Sequence, residues 1–81
     1  MEKVKLGIVG LGNRAQSMCE TFLAFSNVDI VAVCDVYQDR VDYFIKKVSN
    51  IRGNKPQGYK SFKKFLKNKQ INAIYVASSW E

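Results

Sequence analysis

Apolar residues fall along this chain in two kinds of spacing, and the two kinds alternate. Val4-Lys5-Leu6-Gly7-Ile8-Val9 is a short run whose apolar character strengthens toward its end, as in a strand buried on both faces of a parallel sheet. Gly10 and Gly12 break it. Ala15, Met18, Cys19, Phe22 and Phe25 then recur at steps of three and four, with Leu23 alongside, which predicts a helix from Asn13 to about Ser26. Asn27 is its expected stop, because asparagine tolerates the left-handed conformation that follows helices. Val28 to Cys34 is almost wholly apolar and β-branched, a second strand.

A second helix is predicted from about Gln38, with Val41, Phe44, Ile45 and Val48 on one face and Gly53 at its end. The loop from Asn54 to Lys60 leaves room only for a very short strand near Gln57 to Tyr59. Ser61 is the expected cap of a third helix with Phe62, Phe65 and Leu66 on its buried side. Lys64 stands where a capping box would need Glu or Gln. Ile71 to Ala77 supplies the last strand. Strands alternating with helices predict an α/β fold: a partial Rossmann fold with a parallel sheet of about four strands in the order 3-2-1-4.

The turn between the first strand and helix carries the chemistry. In Gly10-x-Gly12-x-x-Ala15 the first glycine allows a tight turn, and the second lets backbone approach a pyrophosphate. A small third residue lets helix and strand pack closely. The helix N-terminus offers N–H groups and its positive dipole end to phosphate. Asp35 lies 20 residues after Ala15 and directly follows the second strand, where a carboxylate accepts the hydroxyls of an adenosine ribose. Its charge favours NAD over NADP. Arg40 bears on that choice, since an arginine can accept a 2′-phosphate; the other readings are a helix-surface residue or a planar cover for adenine. Arg14 is placed to reach a pyrophosphate or simply solvent, and Asn13 to cap the helix or bond a phosphate. Ser78, Ser79 and Trp80 follow the last strand, at the sheet edge where such folds bind ligands. The plainer alternatives are a ligand-free glycine turn and an Asp35 that only complements a helix dipole.

Composition narrows the class. The 81 residues make one small domain or part of one, residues 1–81 being read as the N-terminal part of a dinucleotide-binding domain. An apolar share of 47% and a charged share of 25% are those of an ordinary globular protein. No stretch approaches the roughly 18–20 apolar residues that cross a bilayer, and the N-terminus lacks a signal-peptide pattern, so a cytoplasmic protein with no membrane partner is expected. Two cysteines and no histidine provide neither a disulfide framework nor a zinc site; both cysteines sit in apolar patterns and read as buried hydrophobes. Nine of the 13 basic residues lie between Lys46 and Lys69, with no acidic residue among them. They follow helix surfaces opposite Phe44, Ile45, Phe62 and Phe65 with no recognition motif, which argues against a nucleic-acid partner.

In combination, Lys5 to Ala15, Val31-Ala32-Val33-Cys34-Asp35, Asp39-Arg40, Tyr59 to Leu66, and Ile71 to Ala77 resemble the glucose–fructose oxidoreductase/inositol dehydrogenase family over essentially the whole chain. The resemblance implies hydride transfer between NAD(P) and a hydroxyl carbon of a sugar or polyol, in a longer chain with a C-terminal substrate domain. It also implies a lysine in a Glu-Lys-Pro motif and a downstream histidine. Neither is here: Asn54 precedes Lys55-Pro56, which lies before the third helix, and the histidine count is zero. No catalytic residue is therefore assigned, and the chain alone is expected to bind cofactor without turning over. Where the family often has Thr-Pro-Asn, this chain has Ser78-Ser79-Trp80-Glu81, and a Trp-Glu pair there looks like the branch with NAD-dependent glycosidases. A stand-alone NAD-binding or redox-sensing module is a further alternative. The last strand carries no proline or charge to block pairing, so truncation and self-association through that strand are expected.

Overall fold

The computed structural model describes residues 3–77. Four strands and three helices alternate: β1 (Val4–Val9), α1 (Asn13–Leu23), β2 (Val28–Cys34), α2 (Gln38–Arg52), β3 (Gln57–Tyr59), α3 (Phe62–Leu66) and β4 (Ala73–Val76). The sheet is parallel throughout, in the order β3-β2-β1-β4, as the alternation of patterns predicts. The chain first steps outward from β1 to β3, then returns past β1 to β4. Right-handed crossovers in opposite directions put their helices on opposite faces. Accordingly α1 and α2 share one face, where Ala15, Cys19, Val41, Phe44 and Val48 pack on Leu6, Ile8, Ile30 and Val33. Short α3 covers the other, with Phe65 against Ala32 and Cys34.

One irregularity in β2 decides which side chains reach which face. Leu6 pairs with Ile30 but Gly7 pairs with Ala32, so Val31 is an extra residue in the ladder. A bulge of this kind reverses the facing of every later side chain. Ile30 and Val33 therefore share the α1–α2 face although three positions apart, while Val31, Ala32 and Cys34 turn to the α3 face. Nothing in the apolar run Val28 to Cys34 marks the bulge, because both faces of the strand are buried.

Helix ends follow local chemistry, with two corrections. Gly53 closes α2 at φ 81°, a left-handed cap donating its N–H to Ser49, and the Ser61 hydroxyl accepts the Lys64 N–H at 3.3 Å. By contrast, α1 ends at Leu23 through Ala24 in a right-handed conformation, and no non-glycine residue among the described residues has positive φ. Asn27 is thus not a left-handed stop; its carbonyl accepts the Val4 N–H and begins the β1–β2 pairing. The exposed carbonyls at this end of α1 are met by Arg52, whose Nη2 donates to Leu23 and Phe25 while Nη1 pairs with Asp29 at 3.2 Å. The second correction concerns α3: Phe65 is fully buried, but Phe62 and Leu66 are about half exposed. A five-residue helix has a buried face only about one residue wide.

Candidate functional site

The carboxyl ends of β1, β2, β3 and β4 are laced together by backbone bonds that form the floor of a cleft. Gly10 N–H donates to Cys34, Asp35 N–H to Tyr59, and Ala77 N–H to Val9, at 2.9, 3.1 and 2.8 Å. Above this floor opens a cleft of about 470 Å³ bordered by Gly10, Gly12, Asp35, Tyr37, Arg40 and Phe62. That is a size suited to a small-molecule ligand, for which about 300–1,000 Å³ is usual.

The two glycines of the turn have different reasons to be glycine. Gly10 has φ 85°, and a Cβ there would fall against the Ala77 carbonyl oxygen, so the protein's own backbone demands it. Gly12 has φ −85°, which any residue adopts, and the nearest atom to a Cβ built on it is Arg40 Nη1 at 3.8 Å. No protein neighbour requires glycine at position 12. A side chain there would instead enter the cleft at the start of α1, the space a phosphate needs. Gly12 is also the cap residue of α1, so Asn13 is the first helical residue and not the cap. The helix begins with no side-chain cap bond and no acidic residue in its own first turn. Asn13 and Arg14 are exposed on that turn, and Ala15 is fully buried under the sheet, as its small size predicts.

Asp35 is the one buried polar residue among the described residues, 9% exposed. Its Oδ2 accepts the Leu11 N–H at 2.7 Å, and its Oδ1 accepts the Tyr37 N–H at 2.9 Å. The carboxylate thus clasps the turn after β1 to the turn after β2. The sequence places it for a ribose but does not reveal this second task. An ionised carboxylate has about four acceptor positions, so each oxygen keeps one for a further donor. The bulge at Val31 explains the placement: continued past Cys34, the reversed alternation turns Asp35 to the α1 face, where Leu11 lies.

Arg40 sets its guanidinium 4.9 Å from the centre of the Tyr37 ring, with Nη1 3.9 Å from Asp35 Oδ2. Lys60 borders the same cleft. Cys34 is buried beside Asp35; burial first, and then the aspartate charge, push its thiol above the ordinary range. Burial likewise raises Cys19, with Lys47 opposing and Glu20 reinforcing the shift. Both cysteines are buried, as the sequence predicts. Ser78, Ser79 and Trp80 lie outside the described residues.

No family model matches the chain. A glycosyl hydrolase family 109 protein of Saccharopolyspora erythraea is 38% identical over 84 residues, covering 99% of this chain and 18% of that protein. The scyllo-inositol dehydrogenase of Lactobacillus casei, solved with NAD(H) and scyllo-inositol, superposes with a TM-score of 0.80 at 19% identity, covering 95% of this chain and 22% of the enzyme. A 3-ketoreductase of Actinomadura kijaniata, solved as its K102A mutant with TDP-benzene and NADP, gives 0.81 at 15% identity over 95% of this chain and 23% of that one. The resemblance to the glucose–fructose oxidoreductase/inositol dehydrogenase family holds. The chain spans about a fifth of the length of the proteins it matches, and shares a parallel α/β fold with the solved dehydrogenases. Neighbours with this fold bind NAD(H) in one case and NADP in another. No helix among the described residues is long and apolar enough to cross a membrane.

Proposed function

We propose that this chain is the NAD-binding part of an oxidoreductase that moves a hydride between nicotinamide and a hydroxyl carbon of a sugar or polyol. The observation that carries the reading is Gly12. Its Cβ position is open toward the cleft at the helix N-terminus although its backbone does not need glycine. A pyrophosphate there faces the start of α1, with Gly10, Gly12, Asn13, Arg14 and the small Ala15 as the cradle. Asp35 takes the adenosine ribose with the acceptor positions left after its two backbone bonds. NAD is preferred, because a 2′-phosphate would be brought against that carboxylate; Arg40 reduces the penalty without removing it. Ser78, Ser79 and Trp80 serve the nicotinamide half.

Bound NAD supplies the hydride acceptor. The hydroxyl proton released in such an oxidation needs a base; the lysine of a Glu-Lys-Pro motif and the histidine that the family resemblance implies are not among these residues, since the sequence has no histidine and its Lys-Pro pair follows asparagine in the loop before α3. Substrate and base therefore belong to further polypeptide. A second reading, an NAD-dependent glycosidase of the same family, is favoured by the 38% identical relative and by the Trp80-Glu81 pair. Both readings use the same cofactor cleft.

Calorimetric titration with NAD, NADP and S-adenosylmethionine tests the cofactor. NAD binding tighter than NADP is expected. Equal affinity for the two removes the Asp35 argument, and tight S-adenosylmethionine binding in their place redirects the reading to a methyltransferase.

A further inference from the structure

Helical spacing puts Phe62 beside Phe65 beneath the sheet, yet Phe65 is fully buried and Phe62 is 49% exposed. The exposed ring is not loose on the surface. It lies nearly parallel to Phe65, with centroids 6.0 Å apart and planes at 20°, and it borders the same cleft as Gly12 and Asp35. The strand order locates it further. Along the carboxyl edge, the phosphate turn follows β1 and Asp35 follows β2, so the next step in that direction is β3, after which Lys60 and Phe62 come. A dinucleotide with its pyrophosphate at Gly12 and its ribose at Asp35 carries its base toward β3. There the cleft presents two flat groups: the Phe62 ring, and the Arg40 guanidinium resting on Tyr37. Flat aromatic and guanidinium surfaces suit a purine, whose faces stack on both.

We infer that Phe62 is the stacking platform for the adenine ring, with Arg40 as the second planar contact. This rests on the dinucleotide reading above and adds the residue that recognises its base. Phe62, not Phe65, is then the aromatic residue of α3 that serves the ligand.

The test compares the full chain with Phe62→Leu, which keeps apolar bulk on Phe65, and Phe62→Tyr, which keeps the flat ring. NAD and AMP affinities are measured by titration, and melting temperatures are recorded for each variant. Phe62→Leu should weaken both ligands about tenfold, Phe62→Tyr should stay within about twofold of the parent, and the melting points should agree. Leucine and tyrosine variants that bind alike would overturn the assignment, as would a loss for NAD with none for AMP. If Phe62→Leu melts early, rescue of AMP affinity by tyrosine still decides the point. Failure of the parent chain to bind NAD or AMP at all would overturn the dinucleotide reading, and this inference with it.

Discussion

Replacing Asp35 with asparagine exchanges one carboxylate oxygen for an NH2 group and breaks one of two backbone hydrogen bonds. The parent carboxylate accepts the Leu11 and Tyr37 N–H groups at 2.7 and 2.9 Å while only 9% exposed. An amide offers one oxygen, so its NH2 must face one of those backbone donors. A hydrogen bond to a charged acceptor is worth about 1.5–3 kcal/mol, and a buried donor left without an acceptor costs about 1–3 kcal/mol. The substitution should therefore destabilise the domain by about 2–4 kcal/mol. A domain of this length has on the order of 4–12 kcal/mol to lose. At about 4–8 °C per kcal/mol, the melting point should fall by roughly 8–32 °C, read by far-ultraviolet circular dichroism. Arg40→Ala is the control: that cation is 3.9 Å away and its side chain is 45% exposed, so its loss should cost less than about 1 kcal/mol. An Asp35→Asn variant that melts within about 3 °C of the parent would refute the clasp, leaving Asp35 as a ligand residue alone.

Gly12→Ala should melt within about 1 kcal/mol of the parent yet bind NAD at least tenfold more weakly, whereas Gly10→Ala should unfold the turn through its clash with the Ala77 carbonyl; calorimetry and melting together separate the two. Cys19 and Cys34 should resist alkylation at neutral pH until the chain unfolds. Since folding raises both thiols, their stabilising effect is intact below the ordinary thiol value near 9.0 and declines as the pH rises past it, so denaturant midpoints should fall there. β4 is an edge strand with Ile74 and Val76 exposed, Val76 by 62%, and self-association through it is expected in sedimentation; a monomer at high concentration would count against it.

Much of this architecture is legible in residue spacing because local chemistry and burial point the same way. Gly53 after an apolar helical face, Ser61 before Phe62, and the near-continuous apolar strands each have one good structural solution. What escapes the sequence is decided at longer range. Asn27 could have capped a left-handed turn, but Arg52, 25 positions on, meets the α1 carbonyls from another helix. Phe62 and Leu66 share the spacing of a buried face, but a helix as short as α3 covers little more than Phe65. The bulge at Val31 is silent because the residues on both faces are apolar. At the site, the glycine pattern and Asp35 are readable from spacing. The double bonding of Asp35 is not, since it depends on how two turns approach each other.

In the proposed complex a dinucleotide lies across the turn after β1 and the end of β2. Backbone amide NMR during titration with NAD tests it most directly. The largest shifts should fall on Leu11 to Ala15 and on Asp35 to Tyr37, with smaller ones at Phe62. Saturable shifts confined to the Lys-rich surface of α3, or no shifts in the glycine turn at saturating NAD, would contradict it.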